Sequence, residues 1–212
     1  MTGNVITNAI NIVHDKDERF VISTCLSYLQ RHLNRYFVLD NETMSMICWA
    51  LGHKMEKIGI FLLDFFDDDQ EVEFEESFFE CGTNHDEYSD VLIDMLQRVG
   101  IKHLRKIKRL ILSLLEQKIK KLKYRGLSNI EKNSSNLKTM FKLTDREVEI
   151  CILLFIIYTY DEPELFFETH LNCRKFTGRK YLCNILNLNQ NKLSGIFNGT
   201  LERTRLLEIN KY

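Results

Sequence analysis

Proline is almost absent from this sequence, since Pro163 is the only one among 212 residues, and glycine occurs nine times. Sandwiches and barrels need many turns, which depend on these two residue types. The sequence therefore predicts a mainly α fold with little β structure. Its hydrophobic content of 44% and its length suit one or two globular domains that bury a core.

Apolar residues recur at helical spacing along most of the chain. From this spacing we predict helices over 18–37, 41–62, 87–97, 102–124, 137–143, 148–158 and 165–170. Asp40 or Asn41 can cap the second of these helices, and Gly126 can end the fourth. Thr144-Asp-Arg-Glu has the pattern of a capping box before the helix at 148–158, which is apolar on most sides and should be central. Glu162-Pro163 should end or kink that helix.

A polar stretch at 128–135 is the predicted boundary between two helical domains. The first domain would span 1–127, with an acidic segment at 64–94 and a basic helix at 102–125. The second would span 128–212. Within the acidic segment, the alternation Glu71-Val-Glu-Phe-Glu also predicts a short exposed strand.

Charge changes sign abruptly between the two halves of the first domain. The segment 64–94 contains no Lys or Arg, whereas 98–125 contains eleven of them and a single acid, Glu116. Blocks of opposite charge so close in sequence tend to meet in space. We therefore expect the acidic segment to fold back along the basic helix, with apolar burial providing most of the stability.

The acidic segment is the candidate surface for a protein contact. The residues proposed for that contact are Asp67, Asp68, Asp69, Glu71 and Glu73. A metal site is the less favoured interpretation, because the stretch lacks the glycine and the final spacing of an EF-hand loop.

The basic helix has three interpretations: a packing helix with a charged outer face, a nucleic-acid surface, or a membrane-surface helix. The first is favoured, and the third lacks the expected Trp and Phe on the apolar face. The residues of the nucleic-acid alternative are Lys118, Lys120, Lys121, Lys123, Arg179, Lys180, Gln190 and Lys192.

Cysteines and histidines form no pattern that indicates chemistry. The six cysteines include no C-x-x-C pair, which is typical of reduced thiols in the cytoplasm. Cys81 and His85 are close in sequence but lack a third group, and His32 and His53 are interpreted as core-edge or surface residues. We therefore predict no catalytic residue, metal or cofactor in this region. No signal peptide or membrane-spanning run is found, so we expect a cytoplasmic protein without membrane contact.

The C-terminal segment 175–211 predicts a helix-turn-helix unit. Leu182, Ile185 and Leu186 share one helical face, a polar turn follows at 187–191, and a second periodic set begins at Leu193. Leu206-Leu-Glu-Ile then has the pattern of the first wing strand of a winged helix. A wing needs a returning strand, so we expect this sequence to be the N-terminal piece of a longer protein.

The stretch 130–209 resembles the region just upstream of the ATPase module in a group of bacterial AAA-type ATPases. The residues that carry the resemblance are Glu131-Lys-Asn, Met140-Phe-Lys-Leu-Thr-Asp-Arg-Glu-Val-Glu, the Leu182 helix and Arg203-Thr-Arg-Leu-Leu-Glu-Ile. The resemblance implies a non-catalytic region that recruits a protein substrate or adaptor and regulates its own ATPase module. ATP and Mg²⁺ would bind in that module, since no phosphate-binding loop occurs here. The alternative is a winged-helix DNA-binding regulator.

Overall fold

A computed structural model describes residues 15–36, 38–81, 85–123, 126–172 and 178–204. Within these ranges all regular structure is helical, so the predicted mainly α fold is confirmed. The helices are α1 (Lys16–Arg35), α2 (Asn41–Leu51), α3 (Glu56–Leu63), α4 (Asp68–Cys81), α5 (His85–Arg98), α6 (Leu104–Leu122), α7 (Asn129–Phe141), α8 (Asp145–Thr159), α9 (Asp161–Asn172), α10 (Gly178–Ile185), α11 (Gln190–Phe197) and α12 (Thr200–Arg203). Two 3₁₀ turns, Gly52–Met55 and Ile101–His103, precede α3 and α6.

Side chains at the helix starts satisfy backbone N–H groups that have no partner within the helix. Asp40 caps α2, with its Oδ1 accepting from the Thr43 N–H at 3.0 Å. The capping box at the start of α8 is confirmed, because Thr144 Oγ1 accepts from the Glu147 N–H and the Glu147 carboxylate accepts from the Thr144 N–H. These starts were predictable because they depend on short-range chemistry.

The long helix predicted after Asp40 is interrupted. Gly52 has φ of +56°, a left-handed backbone conformation that ends α2, and a 3₁₀ turn leads into α3. The apolar pattern continues through the break because both helices bury their apolar faces in the same core. Periodicity alone therefore did not reveal the turn.

The strand predicted at 71–75 is wrong, because these residues belong to α4. Asp67 Oδ1 accepts from the Gln70 N–H at 3.1 Å and so begins the helix. Phe74 is buried, whereas Val72 is exposed. The two apolar residues therefore lie on different faces of a helix, and their alternation with glutamates does not define a strand face.

The polar stretch 128–135 is helical too, as the first part of α7. A second capping box starts this helix, with Ser128 and Glu131 bonding each other's backbone N–H groups. The stretch predicted as the domain boundary is therefore the start of a helix that contacts α1 and α8. Most of its polar residues are exposed or partly exposed, whereas Ser128 is buried.

The core centres on α1 and α2. Helices from both sides of residue 127 pack against them: α6, α7 and α10 contact α1, while α5, α6 and α9 contact α2. The division at 127 stays a prediction, but the two predicted domains share extensive contacts.

The acidic and basic segments do not lie along each other as predicted. Helix α4 packs against α5, while α6 packs against α1, α2 and α3. Arg98 joins the two charge blocks, at 3.4 Å from Glu73 and 2.8 Å from Asp94. Apolar residues of α6 such as Ile107, Ile111 and Leu115 are buried. Burial of this apolar face, and not charge pairing, therefore decides where the helix lies.

Candidate functional site

A cleft of about 640 Å³ lies between α1, the C-terminal end of α6 and the N-terminal half of α8. Ser23, Thr24 and Ser27 of α1 line it. Their hydroxyls donate to carbonyl oxygens of their own helix, for example Thr24 to Phe20 at 2.8 Å and Ser27 to Ser23 at 2.9 Å. These small residues, already bonded to the helix backbone, leave space above α1.

The sides of the cleft carry both apolar and charged residues, and Lys123, Glu131 and Asp145 are among the charged ones. Ile119 and Leu122 come from α6, and Val148 and Ile152 come from α8. Arg31 also lines the cleft, where its Nη1 donates to Glu149 at 3.2 Å and to the Ile185 carbonyl at 2.6 Å. The cleft thus combines apolar and charged sides with an ion pair between Arg31 and Glu149.

Helix α8 was predicted to be central, and it is buried on one face but exposes apolar residues on another. Ile150, Leu153 and Ile156 are buried on its inner face, but Phe155 is 42% exposed and Tyr158 is 82% exposed. Residues three and four apart are neighbours on a helix. Ile152, Phe155 and Tyr158 therefore form one apolar stripe running out of the cleft, named here the α8 stripe.

A second feature is a buried cluster of histidines and tyrosines where α1, α9 and α10 meet the start of α2. The His32 and His170 rings lie 4.4 Å apart between centroids, edge to face. His32 Nδ1 is 3.2 Å from the Tyr181 hydroxyl, and His170 Nδ1 is 2.7 Å from the Phe166 carbonyl. His170 Nε2 lies 3.5 Å from Asp40 Oδ2, which is ion-pair distance.

The two histidines have opposite electrostatic environments. Burial and the neighbouring His170 lower the pKa of His32 to about 4. Burial alone would lower the pKa of His170, but Asp40 and the Phe166 carbonyl raise it above the usual value. His32 is therefore neutral at physiological pH, and His170 is the histidine that carries the proton more readily. Sequence reasoning placed His32 at the core edge or surface, and no local pattern indicated that it would meet His170.

The acidic residues predicted as a protein contact lie together at the start of α4. Asp67, Asp68, Asp69 and Glu73 are exposed, and Glu71 is partly exposed. Asp67 caps the helix, and Glu73 pairs with Arg98. Among the residues that the structure describes, no group of three or more His, Cys, Asp or Glu side chains could hold a metal ion.

The residues of the nucleic-acid alternative are divided between two parts of the molecule. On α6 and directly after it, Lys121 and Lys123 are exposed, Lys120 pairs with Glu116 at 2.7 Å, and the half-buried Lys118 lies 3.5 Å from the Leu51 carbonyl. On the C-terminal unit, Arg179, Lys180, Gln190 and Lys192 are all exposed.

The predicted helix-turn-helix is present as α10 and α11. Asn187 adopts φ of +53° after α10, and the Leu188 N–H donates to the Cys183 carbonyl at 2.7 Å, which closes the first helix. Asn189 then caps α11 by accepting from the Lys192 N–H at 2.8 Å. The predicted wing strand at 206–209 lies outside the described residues, and so does Cys173.

Cysteines 25, 48, 81, 151 and 183 are free thiols. No described helix combines the length and the apolar character that crossing a membrane requires. Comparison with protein-family models, curated proteins and solved structures finds no match to this chain.

Proposed function

We propose that this chain is a non-catalytic region that recruits a protein partner, and that the partner contacts the cleft and the α8 stripe. The observation that supports this is the exposure of Phe155 and Tyr158 on the helix whose first half lines a cleft with apolar and charged residues. Exposed apolar surface rimmed by polar groups is typical of protein contact sites. Buried aromatic side chains often supply much of the affinity of such contacts.

A partner helix suits the shape of this site. The cleft runs between α6 and α8 over a part of α1 that carries Ser23, Thr24 and Ser27, and an amphipathic helix can insert its apolar face there. Arg31 and Glu149, held at the cleft, would orient polar groups of the partner. The acidic surface of α4 is a second candidate for the protein contact.

Site-specific photo-crosslinking in the source organism tests the proposal and separates the two surfaces. A benzophenone amino acid is introduced at Tyr158, at the end of the α8 stripe, or at Glu76 on the acidic helix. Both side chains are exposed in this structure, so neither replacement disturbs the core. We expect a discrete crosslinked protein from Tyr158, which is lost when Phe155→Asp is added. A crosslink only from Glu76 would move the contact to α4, and none from either site would contradict the proposal.

The resemblance of residues 130–209 to the region before an AAA-type ATPase module supports placing this role in an ATP-driven protein. The partner would then be a substrate or an adaptor, with the ATPase module as a second contact within the same protein. The gene sequence tests this directly. A Walker A motif within about one domain length, roughly 100–150 residues, downstream is expected. Its absence would reject the ATPase assignment and leave the recruiting role.

A nucleic-acid-binding regulator is the second candidate function. The observation that favours it is the exposure of Gln190 and Lys192 at the start of α11, where recognition helices contact bases. A duplex-DNA titration at two salt concentrations discriminates, because binding to phosphates weakens steeply as salt rises. Binding at low salt that is lost in Lys192→Gln would support this candidate, and no binding at low salt would eliminate it.

A further inference from the structure

Lys57, Lys118 and Lys121 all lie close enough to Lys54 to act on its charge, and Lys118 Nζ lies 3.5 Å from the Leu51 carbonyl at the end of α2. Lys54 lies in the turn, Lys57 in α3, and Lys118 and Lys121 in the last two turns of α6. Helices α2 and α3 both pack against α6. The left-handed Gly52 makes this arrangement possible, because it ends α2 and redirects the chain into the turn that carries Lys54.

Lys54 is the unusual member of this group. The residue is only 8% exposed, and its Nζ atom is buried without a hydrogen-bond partner. A buried ammonium group without a partner is unfavourable, because it has lost water and gained nothing in return. The structure thus contains a cationic donor placed for an acceptor that the described residues do not provide.

The surrounding charges repel Lys54. Burial lowers the pKa of Lys54, and Lys121, Lys118 and Lys57 lower it further. Burial and Lys121 likewise lower the pKa of Lys118, against which Glu18 acts in the opposite direction. The nearest acid on α6, Glu116, already pairs with Lys120 at 2.7 Å. Among the groups that act on the charge of Lys54 itself, all three are lysines.

The group is open to solvent on one side. Lys57 and Lys121 are exposed, Lys118 is half-buried with its Nζ 3.5 Å from the Leu51 carbonyl, and Lys54 is covered. An anion held by the exposed Lys57 and Lys121 would also be attracted by the more buried Lys118 and Lys54. These four lysines are here named the Lys54 site.

The geometry points to a binding site for a phosphoryl group at Lys54, Lys57, Lys118 and Lys121. Lysine binds phosphate as a compact point charge with rotatable donors. Several convergent lysines suit an anion with more than one charge, such as the phosphate chain of a nucleotide or inorganic polyphosphate. A phosphoryl group would both accept from the Lys54 ammonium and neutralise the repulsion among the four cations.

Calorimetric titration with inorganic tripolyphosphate tests the site, because this probe presents the phosphoryl chemistry without a base or sugar. We expect saturable binding of one tripolyphosphate by the wild-type chain. Lys54→Met keeps the aliphatic stem and removes the charge, and it should weaken binding about tenfold or more, as expected for loss of a charged hydrogen bond. Lys121→Gln alters an exposed residue that folding does not need, so it tests the site independently of stability.

Lys106→Gln is the matched control, since Lys106 is exposed at the opposite end of the same helix and its replacement removes the same charge. Its affinity for tripolyphosphate should match that of the wild type. Equal weakening by Lys106→Gln and Lys121→Gln would overturn the inference, because it would indicate diffuse attraction to a basic helix. Absence of binding at low salt would also overturn it.

Two further probes identify the source of the phosphoryl group. Adenosine triphosphate competing with tripolyphosphate at similar affinity would support a nucleotide or polyphosphate ligand. Duplex DNA that binds equally to the wild type and to Lys54→Met, while tripolyphosphate does not bind, would reject the Lys54 site in favour of nucleic-acid contacts elsewhere. Failure of these binding experiments would not affect the proposed role of the α8 stripe, because the crosslinking experiment does not involve the four lysines.

Discussion

Glu147 and Lys54 are both charged residues buried from solvent, but their surroundings are opposite. Glu147 is 4% exposed, and its carboxylate accepts from the Thr144 N–H at 2.7 Å, the Thr144 hydroxyl at 2.8 Å and the Thr200 N–H at 3.1 Å. Burial alone would raise the pKa of Glu147, but these hydrogen bonds outweigh it and hold the pKa below its usual value. Lys54 has a buried ammonium group with no hydrogen-bond partner.

The difference separates a structural charge from a charge available for binding. Glu147 joins the start of α8 to the start of α12, so it attaches the helix-turn-helix unit to the rest of the protein. Lys54 Nζ has no hydrogen-bond partner among the described residues, and three nearby lysines disfavour its charged form. A buried charge with internal partners therefore indicates fold stability, whereas one without them indicates a site for an external ligand.

The largest effect is expected from removing Glu147. Glu147→Ala deletes half of the capping box and leaves the Thr144 and Thr200 N–H groups without their acceptor, so we expect a loss of about 2–4 kcal/mol in the free energy of unfolding. Urea denaturation measures this loss. Glu168→Ala is the control, since Glu168 is exposed in α9. A similar loss in both variants would contradict the stabilising role assigned to the buried hydrogen bonds of Glu147.

The histidine cluster provides a buried group whose charge depends on pH, so the cost of charging it can be measured by changing the pH. The folded-state pKa of His32 is about 4, below the unfolded value, so acidification protonates the unfolded chain first and stability falls between about pH 6.5 and 4. We expect a loss on the order of 2 kcal/mol across that window. His170 acts in the opposite sense, since its raised pKa contributes stability that is lost as pH rises through that value.

Denaturation midpoints across this pH range, compared between wild type and His32→Phe, isolate the contribution of His32. Phe keeps an aromatic ring but does not titrate, so the variant should lose much of the acid sensitivity above pH 4. Below that range the lowered pKa of Asp40 adds a further loss of stability as its carboxylate is protonated. Identical acid sensitivity in wild type and variant would assign the effect to other groups.

Removing Lys54 should have a smaller effect of opposite sign to that of Glu147. Lys54→Met keeps the buried stem and deletes an ammonium group without a partner, so we expect a gain of about 1 kcal/mol in phosphate-free buffer. Thermal unfolding measures the gain. Added tripolyphosphate should stabilise the wild type and reverse the difference, because a ligand that binds the folded state stabilises it. A destabilised Lys54→Met would mean that the ammonium is structural after all.

The smallest effect is expected at Arg98, which joins exposed acids of α4 and α5 and lies 5.0 Å from the Phe74 ring centroid. Exposed ion pairs contribute little to stability, so Arg98→Ala should speed amide exchange in α4 only about twofold. Reversing Lys120 and Lys123 to Glu should leave exchange in α4 unchanged, because α6 packs elsewhere. Faster amide exchange in α4 of this variant would instead support the predicted pairing of the acidic segment with the basic helix.

Helix class and helix starts were predictable because they depend on residues close in sequence. Apolar spacing located α1, α5 and α6, and the caps at Asp40 and Thr144 were predicted from the residue types at those positions. The α4 strand prediction failed for a related reason. A short alternation of Glu, Val and Phe is compatible with the period of a helix and with that of a strand. The Asp67 cap and the burial of Phe74 decide for the helix.

The sequence by itself determined that the chain is mainly α, where α2 and α8 begin, and which segments carry opposite charge. The tertiary structure alone decided which charges meet, that Phe155 and Tyr158 face outward, and that His32 contacts His170 across 138 positions. The same holds for the Lys54 site, whose lysines come from two helical stretches more than 60 residues apart. Local structure follows from interactions within about one helical turn, whereas a site depends on how apolar faces pack. Packing is set by the whole core and not by any single segment.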